Sequence, residues 1–559
     1  MLSISFNMSS QTGNTNYGTN ALSNISSGDY NAAFGYQSLE NNTSGSHNTA
    51  LGVSALRTQT SGDYNTALGN FALYTNSSGY SNVGIGYYSL FTNTGNGNTA
   101  VGVRSLQENT TADYNTAFGY YSLRYNTTGF SNVAVGYLSL EDNTEGSNNI
   151  GVGTGALQNN TTGGANVAVG HLSLADNTSS YITAVGAYSL TNNTSGSGNT
   201  AVGYRSLFSN TTGWKNVAIG DSALYSASSA DNDWNVAVGY EAMYANSNGN
   251  SNTAVGGNAL RQNTSGSYNT AIGLSSLGDN TTGDYNVAVG TNALDKNTTG
   301  YNNTAIGFAA LEENSTGIWN TAVGYAALSE NTNNIGSSAF GYRSLMNSTG
   351  GYYNDAFGAY SMEDNTSGFY NSAFGSQALE ENLTGGYNSA FGRSALSNNN
   401  GHKNTAVGML SLANLTSGNN NTAIGYLAYA SASDATNQTV IGYQTTGQAD
   451  NSVVLGNSDV TAIYMAEDSG ATIYAGNATF NGDVVIQSDA RLKSNIVPLG
   501  STLSKLLLID GKSYEKDGKQ KIGVLAQEIQ EVFPELVTKD DNEMLAVNYQ
   551  GLVPVLINA

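Results

Sequence analysis

Hydrophobic and polar positions follow a short pattern that returns about every 17 residues between Gly18 and Gly425. Its 25 copies share the consensus Asn-Thr-Ala-Val-Gly-Tyr-x-Ser-Leu, which is followed by a polar stretch rich in Asn, Thr and Gly. Self-similarity at a fixed short period is the sequence signature of a solenoid, in which each repeat stacks on the next. The pattern therefore predicts a long repeat shaft.

The repeat at 199–215 illustrates one predicted coil. Residues 199–204 contain Thr, Val and Tyr, which favour strands, and residues 210–213 have the sequence of a tight turn. Seventeen residues suffice for two short strands and two turns. We therefore predict an all-β fold, an elongated parallel β-roll or β-solenoid of about 25 coils.

The apolar positions define two faces of the predicted strand. The residue two before the glycine is Ala in 22 of the 25 copies, and the residue just before it is nearly always Val, Ile, Phe or Leu. Adjacent strand residues point to opposite faces, so one face carries an Ala ladder and the other a ladder of large side chains. One ladder can fill the inside of the coil. The other must be covered by a second chain or by the segment that carries the Leu four residues after the glycine. We expect the Ala ladder to let two backbones approach at an oligomer axis.

A column of asparagines begins at Asn31 and continues through Asn48, Asn65 and Asn82. Asparagine amides cap turns, and stacked amides can bond from one coil to the next. We expect this column to hold neighbouring coils together.

Composition separates the C-terminal end from the repeats. All three prolines lie at or after Pro498, and before Ser488 the chain has 30 acidic but only 10 basic residues. This negative charge disfavours nucleic-acid partners and anionic membranes. No cysteine is present, and His47, His171 and His402 have no second ligand at metal-binding spacing, so we expect no metal site and no cofactor.

The chain has no apolar stretch of 18 residues, and its first six residues lack the features of a signal peptide. We therefore expect no membrane insertion. This start is consistent with a virion component or with a piece of a longer protein.

The repeat spacing is irregular in four places. It shortens to 16 before Gly102, Gly186 and Gly408 and lengthens to 19 between Gly220 and Gly239. Insertions in a solenoid form loops, and loops on a rigid scaffold often carry recognition. Three tryptophans are candidate receptor contacts that could stack on carbohydrate, or they are large members of a column otherwise filled by Tyr: Trp214, Trp234 and Trp319.

The C-terminal end predicts a small α/β module. Apolar residues from Ile522 to Val532 fall at helical spacing, and Pro534 ends that pattern. A second helix is expected near Leu552, where Pro554 suits a first turn.

Ser488 and Lys493 allow two interpretations. Ser488-Asp489 can cap a helix with Lys493 on the following turn. Alternatively, Ser488 can be a nucleophile with Lys493 as its base, provided that burial lowers the pKa of the lysine. The spacing alone leaves both open.

Four ordered segments, at 488–493, 522–537, 545–549 and 552–556, resemble the S74 peptidase family. That family comprises the C-terminal intramolecular chaperones of phage endosialidases and tail fibres. The resemblance implies a chaperone that helps a trimeric β-stalk to fold and then cleaves itself off. It implies Ser488 as nucleophile, Lys493 as general base and Ser488–Asp489 as the scissile bond. Family members usually continue into a longer helix, so a truncated chaperone is expected here.

The repeats resemble the head of trimeric bacterial adhesins of the YadA type. This second resemblance implies a left-handed roll and a homotrimer.

We predict an N-terminal lead-in at 1–17, a repeat shaft at 18–456, a short β connector at 457–487 and the S74-type chaperone at 488–559. The predicted function is a trimeric tail fibre of a phage or phage-like injection particle, located in the virion tail. Its expected partners are a host-surface receptor such as a glycan and other tail or baseplate proteins. The alternative is a trimeric adhesin on a bacterial cell surface. Self-cleavage is the only enzymatic activity expected, because no paired carboxylates of a glycan-degrading enzyme are visible.

Overall fold

The structure is a computed structural model that describes residues 12–228, 232–465, 479, 481, 489–516, 518–540 and 543–559. It separates into two compact units, Met1–Ala462 and Ile463–Ala559. Each unit is described by itself.

The first unit is a parallel β-solenoid with one strand of three residues in each coil. Strands β1 to β27 are, in order, Thr15–Tyr17, Ala32–Phe34, Thr49–Leu51, Thr66–Leu68, Val83–Ile85, Thr99–Val101, Thr116–Phe118, Val133–Val135, Ile150–Val152, Val167–Val169, Thr183–Val185, Thr200–Val202, Val217–Ile219, Val236–Val238, Thr253–Val255, Thr270–Ile272, Val287–Val289, Thr304–Ile306, Thr321–Val323, Ser338–Phe340, Asp355–Phe357, Ser372–Phe374, Ser389–Phe391, Thr405–Val407, Thr422–Ile424, Thr439–Ile441 and Val453–Leu455.

Each strand pairs in parallel with the strand of the next coil, residue for residue. In β16 and β17, for example, Thr270 faces Val287 and Ile272 faces Val289. The predicted all-β parallel solenoid is therefore confirmed. The prediction of two strands in each coil was wrong, because the rest of the coil consists of turns joined to neighbouring coils by backbone hydrogen bonds.

Left-handed backbone conformations explain why the remainder of the coil is not extended. In the coil of β16, three residues other than glycine have φ between 50° and 57°: Ser275, Leu277 and Tyr285. Such conformations disfavour residues with a Cβ atom. Here the Ser275 and Tyr285 N–H groups donate to the preceding coil, at Gly257 O and Ser267 O, while Leu277 N–H donates to Ala293 O of the following coil. These left-handed residues therefore allow the coil to form backbone hydrogen bonds with the coils on both sides of it.

The core of the solenoid is built from the Ala and Leu ladders together. Ala271 and Leu277 are fully buried, and the equivalent residues of neighbouring coils belong to the same continuous core. The expectation that the Ala ladder lies at an oligomer axis was therefore wrong. It faces the inside of the coil, where the small Ala side chain leaves room for the large Leu side chain.

The predicted asparagine column is buried and bonds from coil to coil, as expected. Asn286 N–H donates to Asn269 Oδ1 at 2.9 Å, and its Nδ2 donates to Gly300 O at 2.8 Å. A second buried column, which the sequence analysis missed, follows the turn. There Asn280 Nδ2 donates to Asn263 Oδ1 at 2.7 Å and to Gly283 O at 3.1 Å.

The irregular coils keep the strand register. In a regular coil the turn amide bonds a carbonyl three residues on, as in Asn76 with Gly79, but in a 16-residue coil Asn93 bonds Gly95. The turn after this asparagine is therefore one residue shorter in the 16-residue coil than in a regular coil. In the 19-residue coil the buried Asn232 accepts, through its backbone oxygen, the bond from Asn216 Nδ2 at 2.7 Å. Residues 229–231 of that insertion lie outside the described residues.

The second unit is a small α/β module. Its helices are α1 (Leu503–Leu506), α2 (Ala526–Val532) and α3 (Leu552–Ile557), and its strands are β28 (Lys512–Lys516), β29 (Lys519–Gly523), β30 (Val537–Lys539) and β31 (Leu545–Val547). β28 pairs with β29 and β30 with β31, both antiparallel. The α2 helix begins later than the apolar spacing predicted, because Ile522 lies in β29 and is 87% exposed. The second predicted helix is confirmed as α3. Throughout the described ranges, no helix has the length and hydropathy needed to span a membrane.

We predict that the repeated glycine cannot be replaced even by alanine. Gly256 has a φ of 140°, and a Cβ atom added there would lie 2.6 Å from the Gly273 carbonyl carbon. The left-handed conformation alone costs about 1–3 kcal/mol. We expect Gly256→Ala to speed hydrogen exchange of the amides in β14 to β16 and to lower the unfolding temperature.

The adjacent Gly257→Ala is a matched control for this variant. Gly257 has no left-handed conformation, and its added Cβ would make only an ordinary contact of 3.4 Å with Leu274. Equal effects of the two variants would contradict the role assigned to Gly256.

We also predict that the buried asparagine column stabilises the stack. Asn286→Ala leaves the Asn303 N–H without its acceptor and removes one of the two amide donors to Gly300 O, the other being Asn297 Nδ2. Each unsatisfied buried group costs about 1–3 kcal/mol. Hydrogen exchange should therefore increase in β17 and β18. The exposed Gln262→Ala should leave exchange in its own neighbouring strands unchanged, and equal exchange in both variants would refute the prediction.

Candidate functional site

The predicted processing site begins at the edge of the described residues. Ser488 lies outside them. Asp489, on the other side of the predicted scissile bond, is extended, with φ of −64° and ψ of 134°. Its carboxylate accepts the Arg491 backbone N–H at 2.8 Å and so caps the 3-10 turn Ala490–Leu492. The helix cap is therefore Asp489.

Arg491 also holds the Asp489 carboxylate with its side chain. Its Nη2 and Nε donate to Asp489 Oδ2 at 2.6 and 3.0 Å. These bonds, together with the backbone bond, lower the pKa of Asp489 below its ordinary value. The residue after the predicted cleavage point is thus held as a carboxylate in a defined, solvent-accessible turn.

Lys493 follows this turn directly. Its backbone N–H donates to Ala490 O at 3.1 Å, its backbone is extended, and the residue is exposed. Lys493 thus lies directly after the turn that Asp489 caps, and in the single chain it is without the burial on which its interpretation as a base depends. The pairing of its ammonium with Ser488 stays a prediction.

The module that carries this turn has a small core and a large exposed apolar surface. Ile529, Phe533, Leu536 and Val555 are its buried hydrophobic residues in the described ranges. Large apolar side chains of α3 and of the segment after α1 are more than half exposed: Leu507, Leu508, Val553, Leu556 and Ile557. Exposed apolar surface of this kind is typical of a protein that associates.

The solenoid has a continuous apolar column on its outside. The third residue of every strand is Val, Ile, Leu, Phe or Tyr in all 27 strands. These side chains face away from the core and are partly exposed, as in Leu51 at 48% and Ile306 at 41%. Four of them stack with ring centroids 4.7 to 5.0 Å apart: Phe340, Phe357, Phe374 and Phe391. The ladder available to a second chain is therefore this outer apolar column.

The candidate receptor tryptophans occupy two adjacent outer columns. Trp234 and Trp319 lie five residues before the repeated glycine, at the left-handed position that Tyr285 occupies in its coil. Trp214 lies one position earlier, in the column that contains Tyr301. The interpretation as members of an aromatic column therefore agrees with their positions. All three remain 37% to 53% exposed.

The structure brings Trp214 and Trp234 together and leaves Trp319 apart. The rings of Trp214 and Trp234 are 5.5 Å apart in an edge-to-face arrangement. Trp319 lies five coils further along and meets only the edge of Tyr301, at 6.2 Å, among the ring contacts of the described chain. Their role as receptor contacts stays a prediction.

Lys215 joins the tryptophan pair, which the sequence analysis missed. Its Nζ lies 4.3 Å from the Trp214 ring centre and 4.0 Å from that of Trp234. An ammonium over an indole face is favourable by about 0.5–2 kcal/mol. The signal was available in the sequence, since Lys215 and Trp234 occupy the same column in successive coils on either side of the insertion.

The described residues contain no group of three or more His, Asp or Glu side chains placed to hold a metal ion.

Comparison with known proteins finds a family match near the C-terminus and similar proteins among those of phages. Residues 488–538 match the family described as chaperone of endosialidase. The chain is 36% identical over 135 residues to the long tail fiber protein Gp37 of Enterobacteria phage K3, which covers 20% of this chain and 11% of that protein. It is 34% identical over 141 residues to Gp37 of Enterobacteria phage T2, covering 21% and 10%. For Gp37 of Escherichia phage AR1 the values are 38% over 88 residues, covering 14% and 8%.

The matched parts thus represent about a tenth of the length of these curated relatives. The predicted resemblance of the C-terminal segment to the S74 chaperones is confirmed by the family match.

Proposed function

We propose that this chain is a fibre protein of the tail of a phage or phage-like particle, where it contributes to attachment to the host. The observation that carries the proposal is the combination, in one chain, of a long parallel solenoid with a segment that matches the chaperone of endosialidase. The three curated relatives, all long tail fiber proteins of phages, support it. They favour the virion tail over the alternative of a bacterial cell surface.

The solenoid gives a physical reason for an attached chaperone. Its coils are nearly identical, and a slip by one whole coil would pair the same residue types in the same register. Parallel pairing is non-local and therefore slow to form. A C-terminal module that aligns the chains would reduce these misfolded alternatives.

We further propose that the chaperone removes itself. Ser488 supplies the nucleophile and Lys493 the base, and the net reaction adds water to the Ser488–Asp489 peptide bond, which leaves a carboxylate on Ser488 and a new amino terminus on Asp489. The exposed turn held by Asp489 and Arg491 supports access to this bond. Loss of the module would make folding kinetically irreversible.

We expect Ser488→Ala and Lys493→Ala to abolish cleavage. Wild-type protein should give two fragments on a denaturing gel, and mass spectrometry should find a peptide that begins at Asp489. The nearby exposed Ser501→Ala should cleave as the wild type does. Full-length wild-type protein would refute self-cleavage, and cleavage of Ser488→Ala would refute the assignment of the nucleophile.

We propose a homotrimer in which the outer apolar columns of the chains pack together. The columns are continuous over 27 strands and partly exposed in one chain. Packing them against each other would remove apolar surface from water at about 25 cal/mol per Å². The exposed apolar residues of the C-terminal module support association at that end as well.

We expect three charges in the outer column to weaken this association. The variant Ile272→Asp, Ile306→Asp, Val323→Asp buries carboxylates in the proposed interface, whereas Gln262→Asp, Ser265→Asp, Asn302→Asp adds the same charge to exposed turns. Sedimentation should give a trimer for the wild type and the turn variant, and dissociation for the column variant. A monomeric wild type, or equal sedimentation of the two variants, would contradict the proposed interface.

A further inference from the structure

The aromatic column that contains Trp234 is interrupted on both sides of the 19-residue coil. Where aromatic residues occupy this position in successive coils their rings cover one another, as in Tyr353 and Tyr370, which stack at 5.3 Å and 7°. The column position before Lys215 is Gly198, and the one after Trp234 is Ser251. Because these residues are small, no aromatic ring of this column stacks on the Lys215–Trp234 pair from the preceding or the following coil. The part of the indole surface that Lys215 leaves uncovered is therefore open to a ligand, and Trp214 and Trp234 are 37% and 53% exposed.

The backbone fixes the geometry of this step. Trp214 N–H donates to Asp233 Oδ1 at 2.8 Å, and Trp234 N–H donates to Trp214 O at 3.3 Å. Lys215 N–H donates to Ser197 O of the preceding coil at 3.0 Å. The side chains thus project from a rigid, hydrogen-bonded frame, which lowers the entropy cost of binding.

The polar groups of the cluster have hydrogen-bonding capacity left. Among the described residues, no carboxylate lies within ion-pair distance of the Lys215 ammonium, whereas Lys296 bonds both Asp279 and Asp295. Asp233 uses Oδ1 for the Trp214 N–H, and no bond to its Oδ2 occurs in the described chain. A donor and an acceptor therefore flank two half-exposed indoles.

We infer that Trp214, Lys215, Asp233 and Trp234 form a binding site for a neutral pyranose sugar of a host-surface glycan. The C–H face of a pyranose packs on an indole, while its hydroxyls accept from the ammonium and donate to the carboxylate. The excess of acidic over basic residues in the repeats disfavours polyanionic glycans. This inference rests on the proposed role in host attachment and assigns that role a location.

The test uses the full chain, fluorescently labelled, on a printed array of neutral hexose, N-acetylhexosamine and uronic acid oligosaccharides. The wild type should bind at least one neutral oligosaccharide, and Trp214→Ala with Trp234→Ala should reduce that binding at least tenfold. Lys215→Met, which keeps the aliphatic stem, should also reduce it. The matched control is Tyr268→Ala, an aromatic residue of the same column and similar exposure with no cation–π partner in the described chain, and it should bind as the wild type does.

Three array results would overturn the inference: no glycan bound by the wild type, binding restricted to the uronic acids, or equal binding by the double variant. Circular dichroism of each variant checks that the solenoid is retained. Adsorption of the same proteins to a panel of bacterial strains separates the two hypotheses. If the wild type and the double variant both adsorb, the sugar site is wrong and attachment stands; if the wild type adsorbs to no strain, the role in attachment fails.

Discussion

Close backbone contact between successive coils is the constraint on which the rest of this structure depends. At each repeated glycine the chain turns with a φ between 126° and 143° through the described regular coils, and the next coil passes so near that a Cβ atom would meet its carbonyl group. This approach sets the coil spacing. The spacing in turn allows strands such as β16 and β17 to pair residue for residue and buried amides such as Asn286 to reach the coils on both sides.

The same contact makes the coils dependent on one another. Three left-handed residues other than glycine in the coil of β16 each cost about 1–2 kcal/mol in an isolated chain. Hydrogen bonds to the neighbouring coils offset that cost, so a single coil has no stability of its own and the stack forms cooperatively. Near-identical coils, however, compete for the same partners. A module that aligns the chains would reduce this competition. The match of residues 488–538 to a chaperone family is consistent with such a module.

The sequence predicted the parts of the fold that depend on periodicity. The 17-residue spacing gave the parallel stack, and the repeated Asn indicated the buried amide column. Periodicity alone could not assign the Ala ladder to the inside, because both ladders are apolar and only the packing of Ala271 beside Leu277 decides between them. The left-handed Leu277 contradicts its local propensity and is imposed by the bond to Ala293. At the site, aromatic residues were visible in the sequence, but the contact of Lys215 with two tryptophans depends on which positions share a column.

Strand positions and turn positions of the solenoid tolerate different changes in sequence. Strand positions cannot change length, since one extra residue would reverse every side chain from core to solvent. Changes in length occur instead in the turns, where the 16-residue coil shortens the Asn93 turn and Asn232 restores a buried carbonyl acceptor beside the insertion. Strand faces are therefore suited to a constant contact with other copies of the chain. Variation in length is confined to the turn side, and the tryptophan pair lies there, at the one coil of 19 residues.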